Sequence, residues 1–247
     1  LVDDARGSRL EGWQVIWRQE PKVTGRGHFG HRMAFGPDGM LYISSGERQK
    51  FDPAQDLGMN LGKIVRLTPT GMIPSDNPFY DQGRVKAQIW SYGHRNPLGI
   101  AFDAQGRLWE QEMGPKGGDE VNLVMPSRNY GYPNVSNGNH YDGRDIPDHK
   151  PGDGFEPPKV SWTPVISPGG LMVYSGKLFP AWRGNAFIGG LSGETLVRTT
   201  LDGGADGTGA REVERYPMGA RIREVEQGSD GAIYVLEDGD GARLLRL

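Results

Sequence analysis

A histidine with an ordinary pKa near neutrality is the usual general base. His28, after Gly25-Arg26-Gly27 and just ahead of His31 and Arg32, is a candidate, although a lone histidine is more often structural. Gly93-His94-Arg95-Asn96-Pro97 lies where a strand ending at Trp90-Ser91-Tyr92 meets the next at Ile100. A forked guanidinium and an amide at a strand end suit an anionic or carbonyl-bearing ligand, and equally a loop tied to backbone carbonyls. In Glu112-Met113-Gly114-Pro115-Lys116-Gly117-Gly118-Asp119-Glu120-Val121-Asn122, backbone carbonyls at Gly114 and Pro115 precede a pair of carboxylates. Hard oxygen donors of this kind suit calcium; the plainer reading is a glycine-rich turn with solvated acids. Arg221-Ile222-Arg223, in a strand, would put both guanidiniums on one face, matching either a polycarboxylate or an exposed charged edge. His140 and His149 fall in a loop-rich stretch and carry little signal.

These residues need elements to hold them, and the elements read as strands. The apolar runs are short and rich in β-branched and aromatic residues: Leu41-Tyr42-Ile43, Ile64 to Leu67, Gln88-Ile89-Trp90, Ile100-Ala101-Phe102, Leu171 to Tyr174, Thr195-Leu196-Val197 and Ile233 to Leu236. No amphipathic helix longer than two turns stands out. A shared grammar recurs, a turn dipeptide followed by aliphatic, aromatic, aliphatic: Asp38-Gly39, Gln105-Gly106, Arg183-Gly184 and Asp230-Gly231 each open such a run. Glycine supplies the positive φ of a tight hairpin. The four glycines are 67, 78 and 47 residues apart, a spacing closer to propeller blades with insertions than to a sandwich with even loops. About four blades are represented, in what reads as one domain over residues 1–247. Tyr132 to Pro164, full of Pro, Gly, Asn and Asp, is the main insertion.

Composition narrows the partners. The 28 basic and 31 acidic residues leave a net charge of -3, which argues against a nucleic-acid surface. The absence of cysteine removes disulfides, zinc-thiolate sites and cysteine nucleophiles. No stretch reaches the length of a membrane span, and Leu1 to Arg6 lack the apolar core of a signal peptide, so the chain reads as mature soluble protein or a fragment of one.

In this order, the segments resemble the soluble quinoprotein glucose and sorbosone dehydrogenases, sugar dehydrogenases that use pyrroloquinoline quinone (PQQ). The resemblance rests on His28 with Arg32-Met33-Ala34-Phe35-Gly36-Pro37-Asp38-Gly39, on Gly93 to Pro97, on Gly114-Pro115 with Asp119 to Asn122, on Asn129-Tyr130-Gly131-Tyr132-Pro133, and on Arg221-Ile222-Arg223. It implies an all-β, six-bladed propeller with the quinone over its central mouth. By resemblance His28 is the base for the anomeric hydroxyl of an aldose, and Glu47 takes the place of a family aspartate beside it. Arg95 and Asn96 would contact quinone oxygens, Tyr141 would add a contact from the insertion, and Arg221 and Arg223 would pair with the cofactor's carboxylates. The carbonyls of Gly114 and Pro115 would hold calcium, with Glu120 and the backbone at Tyr130 forming a second calcium site.

The pattern departs from the family at three places. Ser192 replaces a lysine that contacts the quinone, and Leu98 replaces a glutamine after Arg-Asn-Pro. The chain also starts inside the family pattern, without the first blades and their substrate-side glutamine, so the sequence reads as a partial record whose ring would leave unpaired edges. The implied partners are an aldose and an external electron acceptor, without nucleic acid or membrane span, as monomer or dimer, in the periplasm or outside the cell. A calcium-dependent propeller lactonase is an alternative, but would have no use for the paired arginines. A non-enzymatic propeller module is another, and would not need His28, Arg95 and the Gly-Pro turn together.

Overall fold

The computed structural model describes residues 2–4, 7–204 and 206–247; Leu1, Ala5 and Arg6, within the stretch read above for a leader, and Ala205 lie outside the description. A small hairpin, β1 (Val2–Asp4) and β2 (Gly7–Arg9), precedes four antiparallel sheets. The first holds β3 (Met33–Phe35), β4 (Leu41–Ser45), β5 (Lys63–Leu67) and β6 (Ile89–Tyr92). The second holds β7 (Pro97–Phe102), β8 (Leu108–Glu112), β9 (Asp119–Val124) and β10 (Val160–Trp162). The third holds β11 (Pro168–Val173), β12 (Ala186–Gly190), β13 (Thr195–Gly203) and β14 (Gly209–Pro217). The last has three strands, β15 (Arg221–Gln227), β16 (Ile233–Asp238) and β17 (Leu244–Arg246). In every sheet the spatial order is the chain order, a plain meander.

Gly39, Gly106, Gly184 and Gly231 occupy the turn between the first and second strands of the four sheets, with φ of 73°, 77°, 80° and 82°. L side chains avoid this left-handed region, which is why one dipeptide grammar recurs at one structural position. Successive sheets pack through their first strands, β7 against β11 and β11 against β15, with β3 and β4 against β7. Three of the apolar clusters lie between sheets. Tyr42, Ile64, Ile100 and Leu108 join the first two, Trp109, Val121, Leu171 and Ile188 the middle two, and Phe187, Leu196, Ile222 and Val235 the last two.

Among the described residues the only helical pieces are three-residue 3-10 turns, and no helix is long and apolar enough to cross a membrane. The insertion differs from its expected bounds. The chain leaves β9 at Val124 and regains a strand at Val160–Trp162, inside the stretch read as loop. β10 is too short for its alternation to show; pairing with β9 and a Trp162 indole bond to Glu212 (2.6 Å) define it. β14 was also unread, because its exposed residues carry no apolar signal.

Candidate functional site

A meander brings the chain to the same end of a sheet twice, before its first strand and between its second and third. His28 precedes β3 and Glu47 follows β4; Arg95 and Asn96 precede β7, while Gly114 and Pro115 follow β8. Ser192 follows β12, and Arg221 opens β15 opposite Asp238 at the end of β16. The expected site residues other than Tyr130, Tyr141 and Glu120 therefore collect at one end of the sheets by topology alone.

His28 donates or accepts through Nδ1 at Glu47 Oε1, which leaves Nε2 for the cleft it lines. Glu47 is fully buried, and its carboxylate also accepts the backbone N–H groups of Gln49 (2.9 Å) and Phe51 (2.7 Å). Burial pushes this carboxyl up, but the bond and charge of His28, with the N–H groups of Phe51 and Lys50, hold it below the ordinary value. The Glu47 N–H in turn donates to the Arg95 carbonyl (2.9 Å), tying the base's partner to the second motif.

Arg95 is 4% exposed. Its guanidinium donates to Met113 O (2.8 Å) and Tyr141 Oη (3.3 Å), while its buried Nε has no partner among the described residues. Asn96 Oδ1 accepts the Gly30 N–H (2.9 Å), so the side chain braces the segment after His28. Around Arg95 lies a cleft of about 240 Å³ lined by His28, Gln49, Phe51, Pro115, Tyr132 and Tyr141 among others. A second recess of about 530 Å³ shares Pro115 and Tyr141 with it and adds Gly114, Asp119 and Ser167. No donor reaches the carbonyls of Gly114 or Pro115 among the described residues. Asp119 fixes their turn by accepting N–H groups from Gly114 (2.9 Å), Ile166 (2.8 Å) and Ser167 (2.7 Å); burial nonetheless pushes its pKa up to about 6.

Other expected residues stand further out. Ser192 Oγ meets Ser167 Oγ at 2.7 Å, at the rim of the second recess. Arg221 and Arg223 do share a face as expected, and both pair with Asp238 (2.9 and 3.0 Å). Glu120 and Tyr130 are buried and do not line the cleft: the Tyr130 ring stacks on His94 with centroids 4.6 Å apart, and its hydroxyl donates to Leu123 O (2.6 Å).

Sequence reasoning missed the group around Glu120. Cross-strand register sets Glu112 opposite Glu120 and Glu110 opposite Asn122. His94 Nδ1 lies 3.6 Å from Glu112 and 3.9 Å from Glu110 and has no hydrogen-bond partner, as do Glu110 Oε1 and Asn122 Oδ1. Burial, then the charge of Glu112, pushes Glu110 and Glu120 well above the ordinary glutamate range. His94, Glu110 and Glu112 offer ligand atoms mutually within 4.8 Å, the geometry of a cation site. The missed signal was alternation: acids at 110 and 112, and Glu-Val-Asn at 120–122, put these side chains on one face of adjacent strands.

The Glucose / Sorbosone dehydrogenase family profile matches residues 1–246. An aldose sugar dehydrogenase of Escherichia coli (strain K12), YliI, is 38% identical over 251 residues, covering 100% of this chain and 66% of the relative. The crystal structure of the soluble aldose sugar dehydrogenase from Escherichia coli in the apo-form matches with a TM-score of 0.90 at 38% identity, over 99% of this chain and 71% of that one. The PQQ-bound form of aldose sugar dehydrogenase from Streptomyces coelicolor matches with a TM-score of 0.71 at 31% identity, over 90% of this chain and 62% of that one. The chain thus spans less than two thirds of the length of the curated relatives it matches. With its profile matched almost end to end and its sheets superposing on those of these enzymes, the chain belongs to the glucose / sorbosone dehydrogenase family.

Proposed function

We propose that this chain carries the reaction centre of a PQQ- and calcium-dependent aldose sugar dehydrogenase, which oxidises the anomeric hydroxyl to a lactone. The observation that carries the reading is one cleft lined by His28, itself paired with buried Glu47, by Arg95 with an unpartnered Nε, and by Pro115 beside Gly114, both with free carbonyls. An unpartnered buried guanidinium nitrogen fits a carbonyl-bearing anion, and two free carbonyls fit a hard cation. When bound, the quinone supplies a two-electron acceptor for the hydride of the anomeric carbon, and calcium supplies Lewis acidity beside it.

The protein's own residues do the rest. His28 accepts the hydroxyl proton at Nε2 while Glu47 fixes its tautomer and balances the charge that develops. Arg95, itself 4% exposed, offers a fixed positive charge to the oxygen on which negative charge grows. Tyr141 adds a hydroxyl to the wall, and Asn96, whose Oδ1 braces Gly30 behind it, would turn its remaining polar atoms to the quinone. Arg221 and Arg223, held on one face by Asp238, would pair with the cofactor's carboxylates, and Ser192 stands at the rim without the cationic reach of a lysine. A second calcium suits Glu120 and the Tyr130 carbonyl, which no donor reaches among the described residues.

The four sheets are read as four blades of a six-bladed propeller that makes up a single domain, with the site end as its mouth. The same reading puts the protein in the periplasm or outside the cell, handing electrons to an external acceptor. Reconstitution with PQQ and calcium tests it through dye-linked oxidation of aldoses, with His28→Ala alongside. Activity that needs both additives and falls about 100- to 10,000-fold in the variant, at unchanged quinone binding, is expected. A variant as fast as the wild type would remove His28 as the base.

A further inference from the structure

Phe51 is an aromatic ring that the core does not use. It is 40% exposed, belongs to none of the apolar clusters among the described residues, and lines the same cleft as His28 and Arg95. Its backbone stands at φ 63° and ψ -85°, a conformation that a residue with a side chain keeps only where its surroundings fix it. Here they do. The Phe51 N–H donates to Glu47 Oε2 (2.7 Å), and the Phe51 carbonyl accepts the Ala54 N–H (3.0 Å). The ring meets His140 edge-on, with centroids 5.5 Å apart at 70°, and lies 6.3 Å from the Tyr132 ring. Both neighbours are tied down in turn, Tyr132 by a bond from Gln55 to its carbonyl (2.7 Å) and His140 by its own N–H to Arg144 O (2.9 Å). A strained turn that leaves a large apolar ring half uncovered gains little for folding, so its use lies in the cleft.

One buried carboxylate fixes this ring and the base together: Glu47 meets His28 Nδ1 through Oε1 and holds the Phe51 amide through Oε2. Of the other rings that line the cleft, Tyr132 is 4% exposed and Tyr141 shares its hydroxyl with Arg95 (3.3 Å). An aldopyranose has two kinds of surface, a rim of hydroxyls and faces made of C–H groups. The C–H face is apolar and weakly positive, which suits the negative face of an aromatic ring. We propose that Phe51 is the platform on which the C–H face of an aldopyranose stacks, which directs the anomeric hydroxyl to His28 and makes Phe51 a determinant of which aldoses react. This rests on the reading that the cleft takes the sugar. Glucose, with its ring hydroxyls equatorial, presents continuous C–H faces. In galactose the axial hydroxyl interrupts one of them, and against the ring that hydroxyl would lose water without gaining a partner. The platform therefore favours glucose over galactose.

Phe51→Ala removes the ring, and Phe51→Tyr keeps its face. In quinone-free protein, saturation transfer from aromatic protons to the C–H protons of glucose reports stacking without turnover. In protein loaded with PQQ and calcium, KM and kcat are then separated for glucose and galactose. Transfer is expected in the wild type and in Phe51→Tyr, and should fall about 5-fold or more in Phe51→Ala. In that variant KM for glucose should rise about 5- to 50-fold with kcat lowered less, the preference for glucose over galactose should shrink, and quinone affinity should stay unchanged. Equal transfer in wild type and Phe51→Ala, or none in either, would overturn the proposal. So would an equal loss of kcat on both sugars at unchanged preference, the mark of a ring that only braces its loop. Should Phe51→Ala fail to fold, Phe51→Leu, which keeps apolar bulk in the same turn, gives the same readings with a smaller change. Because transfer needs no quinone, a protein that loses it in Phe51→Ala yet oxidises no aldose would overturn the functional reading and uphold the platform. A protein that oxidises aldoses with KM indifferent to the variant would do the reverse.

Discussion

The His28–Glu47 pair is held under backbone strain. His28, Arg48, Gln49 and Phe51 all take positive φ, at 52°, 65°, 57° and 63°, conformations that side-chain-bearing residues adopt at a cost. Arg48 helps to sustain them, donating to Gly25 O (3.0 Å) and Gly27 O (3.1 Å) while its guanidinium lies 3.6 Å over the Phe29 ring. In Glu47→Gln one carboxylate oxygen and the charge are lost, so His28 no longer has a fixed tautomer; kcat should fall on the order of 100-fold or more, with quinone binding little changed. The same residue makes a pH prediction. Its folded pKa is held below the ordinary 4.5, so the unfolded chain binds the proton more tightly, and the stabilisation is complete above that value and lost as pH falls below it. Urea unfolding from neutral pH into the acid range should therefore show wild type losing more stability than Glu47→Gln; parallel curves would mean that the pair contributes nothing to folding.

At the scale of elements, the loop from β4 to β5 depends on a buried lysine. Lys63 is fully buried and donates from Nζ to Pro53 O (2.6 Å), Leu61 O (2.7 Å) and Ala54 O (3.0 Å), drawing together the loop that carries Glu47. Lys63→Met keeps the stem but leaves Leu61 O without a donor, while Pro53 O and Ala54 O keep only the N–H groups of Asp56 (3.2 Å) and Gly93 (2.9 Å), and should cost about 1–3 kcal/mol in denaturant unfolding. A midpoint unmoved from wild type would show that water replaces the ammonium freely. Elements were legible in the sequence where a local rule forces them. The turn glycines show because only a residue tolerant of positive φ closes those hairpins, and the apolar runs show because both faces of a strand such as Leu41–Ser45 are buried. β10 and β14 were not legible, since one is three residues long and the other faces solvent. Among site residues, those in glycine-rich turns at the sheet ends could be read in place. Glu110 and Glu112 could not, because only pairing with β9 turns two separated acids into a cluster.

At the scale of the whole molecule, the third and fourth sheets approach closely because glycines of β11 and β12 stand where they meet β15. A Cβ on Gly169 would lie 2.5 Å from the Arg223 carbonyl and 3.0 Å from that of Ile222, and one on Gly189 would lie 2.7 Å from the Ile222 side chain. Arg32 spans from the first sheet to Glu224 on β15 and donates from Nε to Leu98 O (2.8 Å), tying together strands far apart in sequence. The strand that Gly169 supports is also the one that carries Arg221 and Arg223, so on the proposed function its packing bears on the cofactor's carboxylates. In Gly169→Ala the obstructing atoms belong to backbone, which cannot rotate away, and β15 must shift as a unit. Stability should fall by about 1–3 kcal/mol, as overpacked interiors do. Quinone affinity should fall with it, because both guanidiniums move with the strand. Gly207→Ala is the control: its φ of 69° strains an alanine, but nothing lies within 4 Å of the added methyl, so stability falls by about 1 kcal/mol without touching β15. If both variants lose stability and bind quinone alike, the strand is not positioned by this contact; if only Gly169→Ala loses affinity, the packing between the third and fourth sheets sets the arginines.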